Sequence, residues 1–475
     1  MTVGTAWEGL QAARPMARVR PMEPKITPSW WRDTVGSLTW VSILITIALW
    51  VSHRGVQDLQ AGAGSASTAL GRLSGLLSAD LLLIQVLLMA RVPVIERSYG
   101  QDELARRHRW AGFASFNLLL VHLALITVGY SITGNVNPVR QFIDFVHNYP
   151  GMLLALAATV LIVLVVVTSI KIARAKLRYE SWHLLHLYAY LGIGLSIPHE
   201  VWTGNDFLSS RLATLYWWGL YAAAAGSVLI WRVGLPIWRS MRHGLRVQRV
   251  VQEAPGVVSV HIAGRDLHRL HAAAGQFFTW RFLDGQGWSR GNPYSLSAAP
   301  RRNELRITVK DLGDGSSRLA ELRPGAKVLI EGPYGRLHAG VRTRQKVTLL
   351  ASGIGITPMR ALLEEIEHLA GELTLIYRAS DESELVFRDE IDSIAARTGA
   401  RVYYVLGRRV PGRDTWLPQA AAHLSDSQAL KELVPDIREH DVFICGADGW
   451  MDAARAAALG AGVPPEHVHL ERFSW

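Results

Sequence analysis

Four histidines stand in apolar surroundings as two spaced pairs, His108 with His122 and His186 with His199. The spacings are 14 and 13 residues. At 1.5 Å rise per residue, each separates its two rings by about 20 Å along a helix axis. Neutral imidazole is a good iron ligand, and four rings at two depths suit two haems stacked one above the other, each held on both axial faces. Iron coordinated in that way favours outer-sphere electron transfer over binding a substrate. A single histidine in such a place is more often a polar residue pairing between helices. Four at matched depths outweigh that explanation, because ionisable groups inside a membrane usually mark function. Fourteen residues at about 100° each bring the second ring within about 40° of the first, whereas thirteen leave it about 140° away. The helix of His186 and His199 is therefore expected to be overwound, kinked near Gly192 and Gly194, or strongly tilted.

Positioning these rings falls to six apolar stretches, at about residues 36–52, 73–92, 109–130, 150–170, 182–199 and 212–234. Several reach the ~20 residues needed to span the hydrocarbon core. Lys and Arg number eighteen in the segments on one side of these stretches and four on the other. The basic side is expected to be cytoplasmic, and both termini with it. His108 and His186 then lie near the inner face and His122 and His199 near the outer, so the expected pairs are His108 with His186 and His122 with His199. His183 is expected near the inner boundary, and His53 with Arg54 at the outer end of the first helix as an interfacial pair.

Composition agrees with this reading. The chain has 475 residues, 49% of them hydrophobic and 19% charged, with a net charge of +10. Its basic residues flank apolar segments instead of forming one patch, which points to a lipid bilayer and away from nucleic acid. The single cysteine, Cys445, excludes an intrachain disulfide and a cluster held by four thiolates of this chain. The first 30 residues lack an apolar core and contain Arg14, Arg18, Arg20 and Lys25, so no cleavable signal peptide is expected.

From about residue 245 the pattern changes to short alternating strands with Gly and Pro turns, as in a small antiparallel barrel. Within it, Arg290-Gly-Asn292-Pro293-Tyr294-Ser295 offers a ring to stack on an isoalloxazine and a hydroxyl for a flavin ring nitrogen. Gly313-Asp-Gly315-Ser316-Ser317 suits a pyrophosphate, since glycines allow close backbone approach and expose N–H groups beside two hydroxyls. After residue 345, strand and helix alternate as in a parallel sheet. The strand Lys346 to Ala351 runs into Gly353-Ile-Gly355-Ile-Thr357-Pro358, a dinucleotide phosphate turn at a helix N-terminus, with Thr357 as N-cap and Pro358 at the first helical position. A second strand ends at Arg378, with Ser380 beyond; an arginine there suits a 2′-phosphate and favours NADPH over NADH, with Arg408 or Arg409 as helpers. A later strand delivers Cys445 and Gly446 to the carboxyl edge of the sheet. Trp475 ends the sequence and could stack on a flavin, or serve as a packing anchor.

Taken together, residues 36 to 475 resemble the ferric reductase and NADPH oxidase superfamily. The histidine pairs, Asn-Pro-Tyr-Ser, Gly-Ile-Gly-Ile-Thr-Pro and Cys-Gly stand in the family's order. The resemblance implies a multidomain membrane protein: a cytoplasmic tail over 1–35, a six-helix transmembrane di-haem bundle over 36–235, an antiparallel β-barrel FAD domain over 243–340 and an α/β parallel-sheet nucleotide domain over 341–475. It also implies ligation by His186 and His199, since the family uses the 13-residue spacing. Asn292 stands where members often carry Arg or His, Ala351-Ser352 replaces the usual glycine pair, and Ala447 the usual proline. Contacts to the flavin phosphate then fall to Arg290.

The implied activity is electron transfer from cytoplasmic NADPH through FAD and two b-type haems to an acceptor outside a plasma or inner membrane. Cys445 then lies at the nicotinamide and Trp475 moves off the flavin. A ferric or other metal acceptor is expected, with superoxide production or a haem relay to a partner protein as alternatives. No calcium-binding pattern appears in the tail.

Overall fold

The structure, a computed structural model, describes residues 30–174, 176, 179–285 and 290–472. Trp475, expected against the flavin, lies outside the described residues. Two compact units divide the chain, one ending at Arg232 and the other beginning at Val233.

Helices build the first unit: α1 (Trp30–Ser52), α2 (Gly55–Gln60), α3 (Ala63–Met89), α4 (Pro93–Tyr99), α5 (Gln101–Gly134), α6 (Pro138–Asn148), α7 (Met152–Ser169), α8 (Lys171–Arg174), α9 (Tyr179–Trp202) and α10 (Arg211–Ser227). A π-helical segment, Val228–Gly234, follows, and then α11 (Leu235–His243). Among the described residues, five spans are long and apolar enough to cross a membrane: Trp30–Ser52, Ala63–Met89, Glu103–Gly134, Met152–Ser169 and Arg211–His243. The helix α9, with 24 residues, has the length but is not among those five, and it carries His183, His186, His199 and Glu200. The stretch 131–150, expected as a connection, holds α6, whose start is capped by Asn137 Oδ1 accepting from the Val139 N–H at 2.8 Å.

Glycines let α3 and α5 approach closely. A Cβ at Gly129 would lie 2.3 Å from Thr68 Oγ1, and one at Gly71 would lie 2.9 Å from the Ile126 nitrogen. Lipid tails are as apolar as Leu, so small residues that let backbones approach drive such packing. Asp80 of α3 is fully buried; its Oδ1 accepts from Ser42 Oγ at 2.6 Å and Tyr216 OH at 2.9 Å, joining α1, α3 and α10.

The second unit contains two sheets. Strands β1 (Arg246–Ala254), β2 (Val257–Ala263), β3 (Phe277–Leu283), β4 (Asn292–Ser295), β5 (Glu304–Lys310) and β6 (Lys327–Tyr334) form an antiparallel sheet in the order β4-β3-β6-β1-β2-β5. Its edge strands meet where Leu296 bridges Ile307. Trp280, Phe278 and Ile307 fill its core. The short α12 (Asp314–Ser317) lies between β5 and β6.

The second sheet is parallel, built from β7 (Lys346–Ser352), β8 (Leu373–Ala379), β9 (Arg401–Leu406), β10 (His440–Cys445) and β11 (Val468–Leu470) in the order β11-β10-β7-β8-β9. It alternates with α13 (Ile356–Glu365), α14 (Arg388–Thr398), α15 (Asp426–Leu433) and α16 (Asp448–Gly460). The two sheets are tied by Arg306 of β5, which makes a two-pronged ion pair with Glu390 of α14 at 2.8 and 3.0 Å and donates to the Ser297 carbonyl at 2.9 Å.

Candidate functional site

In the helical unit the expected histidine pairs come together. The rings of His108 and His186 are 5.9 Å apart between centroids, and those of His122 and His199 are 6.4 Å apart. Two imidazoles flanking one metal atom at about 2 Å each would be separated by a similar distance, roughly 6 Å. Pro198 sits inside α9 immediately before His199. A proline there removes one helical hydrogen bond and bends the axis.

Each histidine has one ring nitrogen engaged. His122 Nδ1 lies 2.8 Å from the Gly71 carbonyl and His108 Nδ1 lies 3.3 Å from the Gln85 carbonyl. His199 Nδ1 lies 2.6 Å from Thr203 Oγ1, and His186 Nδ1 lies 3.3 Å from Ser169 Oγ. Both hydroxyls give their own hydrogens to helix carbonyls, Thr203 to His199 and Ser169 to Val165. All four Nδ1 atoms therefore donate, which leaves Nε2 as the nitrogen with a free lone pair. That is the tautomer a metal ligand needs, fixed by outer partners. Gly75 makes room for it: a Cβ there would lie 2.5 Å from His122 Nδ1. None of these partners was predicted from sequence. The G-x-x-x-G of Gly71 and Gly75, and Thr203 four residues after His199, are the signals that could have revealed them.

His53 and Arg54 follow directly on the end of α1. His53 Nδ1 lies 2.7 Å from Asp206, and Arg72 lies against both.

In the second unit, β4 runs along β3 with Tyr294 opposite Phe278 and Ser295 opposite Phe277. Trp280 Nε1 donates to the Tyr294 carbonyl at 2.9 Å, and burial pushes the Tyr294 phenol up to about 12. Ser295 Oγ is buried and has no hydrogen-bond partner among the described residues. An orphaned hydroxyl on this strand fits a flavin heteroatom. Asn292 and Pro293 pair with Trp280 and Thr279, and Arg290 is exposed just before them.

The glycine turn after β5 differs from expectation. Ser317 Oγ bonds Asp311 Oδ1 at 2.7 Å and Ser316 Oγ bonds the Gly313 carbonyl at 2.9 Å, so both hydroxyls are engaged within the turn that carries Gly315. The bond from Ser317, with the Gly313 N–H, holds the Asp311 carboxyl below its usual range. The neighbouring Arg318, which sequence reasoning passed over, has a buried Nη2 without a partner among the described residues.

The turn after β7 is a 3-10 segment, Gly353–Gly355, that winds directly into α13. Gly355 is the N-cap, not Thr357, whose hydroxyl donates to the Ile354 carbonyl at 3.1 Å; Pro358 sits in the first turn, where no helical N–H bond is lost. Gly353 has φ +54, and a Cβ at Gly355 would lie 2.3 Å from the Cys445 carbonyl. The glycine turn and Cys445-Gly446 are thus in contact. Burial pushes the Cys445 thiol up to about 12, helped by Glu471, so it is protonated and no nucleophile. Glu471 is nearly buried, and a Cβ at Gly335 would touch its carboxylate, which places this acid where the two sheets approach.

Arg378 is turned inward. Its Nη2 donates to the Gly407 carbonyl at 2.6 Å, and burial, with Arg409 nearby, lowers its pKa. Ser380 is exposed, and its N–H donates to Glu384 at 3.3 Å.

The family described as "Ferric reductase like transmembrane component" matches residues 74–197, and "Oxidoreductase NAD-binding domain" matches residues 349–456. Ferredoxin–NADP reductase B of Sorangium cellulosum is 32% identical over 189 residues, covering 38% of this chain and 77% of that protein. The ferredoxin reductase component of 3-ketosteroid-9-alpha-monooxygenase from Mycobacterium tuberculosis is 31% identical, covering 43% of this chain and 56% of its own length. The glycine betaine monooxygenase reductase subunit of Chromohalobacter salexigens is 28% identical, with 50% and 65% covered. The chain thus spans less than two thirds of the length of these last two relatives. Its matching regions are thus a membrane component and an oxidoreductase NAD-binding domain. It belongs to the ferric reductase and NADPH oxidase superfamily, with a ferric-reductase-like transmembrane component joined to a module of the ferredoxin–NADP reductase family.

Proposed function

We propose that this protein carries electrons from cytoplasmic NADPH, by way of FAD and two b-type haems, to a ferric complex outside the cytoplasm. The observation that carries the reading is the pairing of His108 with His186 and of His122 with His199, each ring held through Nδ1. His108 and His186 would hold an inner haem and His122 and His199 an outer one. When bound, the nucleotide supplies hydride to the flavin, and the haems pass single electrons across the membrane.

The chain's residues bind and orient. Tyr294 offers a ring face, Ser295 Oγ a hydrogen bond, and Arg290, Asn292, Pro293 and Arg318 complete the flavin cradle with the Gly315–Ser317 turn. Gly353, Gly355, Thr357 and Pro358 seat the nucleotide phosphates at the start of α13. Cys445 and Gly446 back the nicotinamide, and the protonated thiol takes no part as a base. Ser380, with Arg408 and Arg409, faces the ribose end, while Arg378 braces β9 behind it. The antiparallel sheet closes as a barrel through Leu296 and Ile307. The helix α9 serves as a sixth span, and the excess of Lys and Arg puts both termini in the cytoplasm.

Sealed inside-out membrane vesicles test the direction. With NADPH added outside and a ferric chelate trapped within, the trapped iron is reduced. Reduction confined to chelate added on the NADPH side would overturn the proposal.

A further inference from the structure

Arg72 stands at the meeting point of four segments in the helical unit. Its Nε and Nη2 make a two-pronged contact with Asp206, Nε to Oδ2 at 2.7 Å and Nη2 to Oδ1 at 2.6 Å. Its Nη1 donates to Asp58 Oδ2 of α2 at 2.9 Å, and its Nη2 donates to the His53 carbonyl at the end of α1 at 3.1 Å. The carboxylate of Asp206 is also 2.7 Å from His53 Nδ1. Both partners are largely enclosed, with side chains 22% and 9% exposed, so the pair is screened far less than a surface salt bridge.

What the clamp joins matters more than its strength. Arg72 directly follows Gly71, whose carbonyl holds His122 Nδ1. Asp206 lies three residues after Thr203, whose hydroxyl holds His199 Nδ1. The segment between them is folded back on itself: the Asn205 N–H donates to the Thr203 carbonyl at 3.1 Å and the Phe207 N–H to the Gly204 carbonyl at 3.1 Å. Phe207 then stacks on Trp217 at 4.2 Å. One ion pair therefore ties together the two backbone segments that aim the rings of one histidine pair. The partners of the other pair, Gln85 and Ser169, lie outside it.

We propose that Arg72, through its fork on Asp206, is a positioning residue that sets the geometry of the His122–His199 pair and leaves the His108–His186 pair untouched. The inference rests on reading the four histidines as haem ligands. The fork matters because a guanidinium makes two parallel bonds to one carboxylate, whereas an ammonium is a point charge without that geometry. Arg72→Lys keeps the charge and loses the fork. Asp206→Asn keeps the shape and loses the charge.

The experiment is a redox titration of the purified full-length protein, followed by visible and low-temperature electron paramagnetic resonance spectra. His122→Ala identifies the component belonging to its pair as the one that disappears. In Arg72→Lys and in Asp206→Asn, the midpoint and low-spin signal of that component shift or are lost, and the other component stays at its wild-type position. Ser169→Ala gives the mirror image, moving only the other component. If both components are unchanged in the two clamp variants, or both move together, the positioning role is overturned. If the wild-type protein shows no haem, the ligand reading itself fails, and the clamp with it.

Discussion

His122 Nδ1 lies 2.8 Å from the carbonyl oxygen of Gly71, and a Cβ on Gly75, one turn further along α3, would lie 2.5 Å from that same nitrogen. A backbone carbonyl thus aims the ring, and a missing side chain gives it space. Glycine at 75 is required by this close approach of two helices, not by backbone conformation.

Gly75→Val removes that space. The variant is expected to lose one of two low-spin haem components and keep the other, with haem content falling towards one per chain. Pyridine haemochrome quantification of the purified protein checks it; two haems retained with unshifted spectra would contradict the assignment.

The flavin site yields a second expectation. Because Ser295 Oγ has no partner among the described residues, Ser295→Ala costs the apoprotein little stability. It removes one hydrogen bond to bound FAD, a loss of about 0.5–1.5 kcal/mol. Flavin titration by fluorescence should show affinity weakened by roughly 2- to 10-fold, with an unchanged melting temperature when flavin is absent.

At the nucleotide turn, Gly355→Ala forces a Cβ to within 2.3 Å of the Cys445 carbonyl. Something must shift, at an overpacking cost of about 1–3 kcal/mol. Stopped-flow measurement should show weakened NADPH binding and slower flavin reduction. Dithionite should still reduce the haems fully, since that route bypasses the turn.

Asp441 anchors the end of the parallel sheet. Its Oδ1 is 2.9 Å from His469 Nε2 and 3.1 Å from His467 Nδ1, and its Oδ2 accepts the Thr343 and Arg344 N–H groups at 2.7 Å each. Burial alone would raise its pKa, but the bond from His469 and the two backbone N–H groups hold it below the ordinary carboxylate value. A carboxyl with a lowered folded pKa contributes stability that is complete above the unfolded pKa of about 4 and is lost as pH falls below it. Thermal unfolding against pH should show wild type losing stability below about pH 4. Asp441→Asn should start lower by about 1–3 kcal/mol at neutral pH and lose less on acidification.

Much of this was legible in the residues. The histidine pairing follows from two spacings and the sidedness of Lys and Arg, because depth along a helix is fixed by residue number. The strands around Val257, Leu305, Lys346 and Asp441 follow from alternation and apolar runs. What could not be read depends on contacts between elements. The carbonyls of Gly71 and Gln85 become partners only through the register of α3 against α5. Arg378 looks like a phosphate reader from its place at a strand end, yet the carbonyl of Gly407, 29 residues on, draws it inward. Thr357 looks like an N-cap, yet the preceding 3-10 turn already begins the winding. Glu471 meets Gly335 and Cys445 from parts of the chain more than 20 residues away, which local pattern cannot show.

The most direct test is an anaerobic visible spectrum of the purified protein before and after NADPH is added, with dithionite as the endpoint. The account predicts sharp low-spin b-haem bands that grow on NADPH addition to nearly the dithionite level, together with bleaching of the flavin. A protein without haem bands, or one whose haems respond to dithionite but never to NADPH, would contradict it.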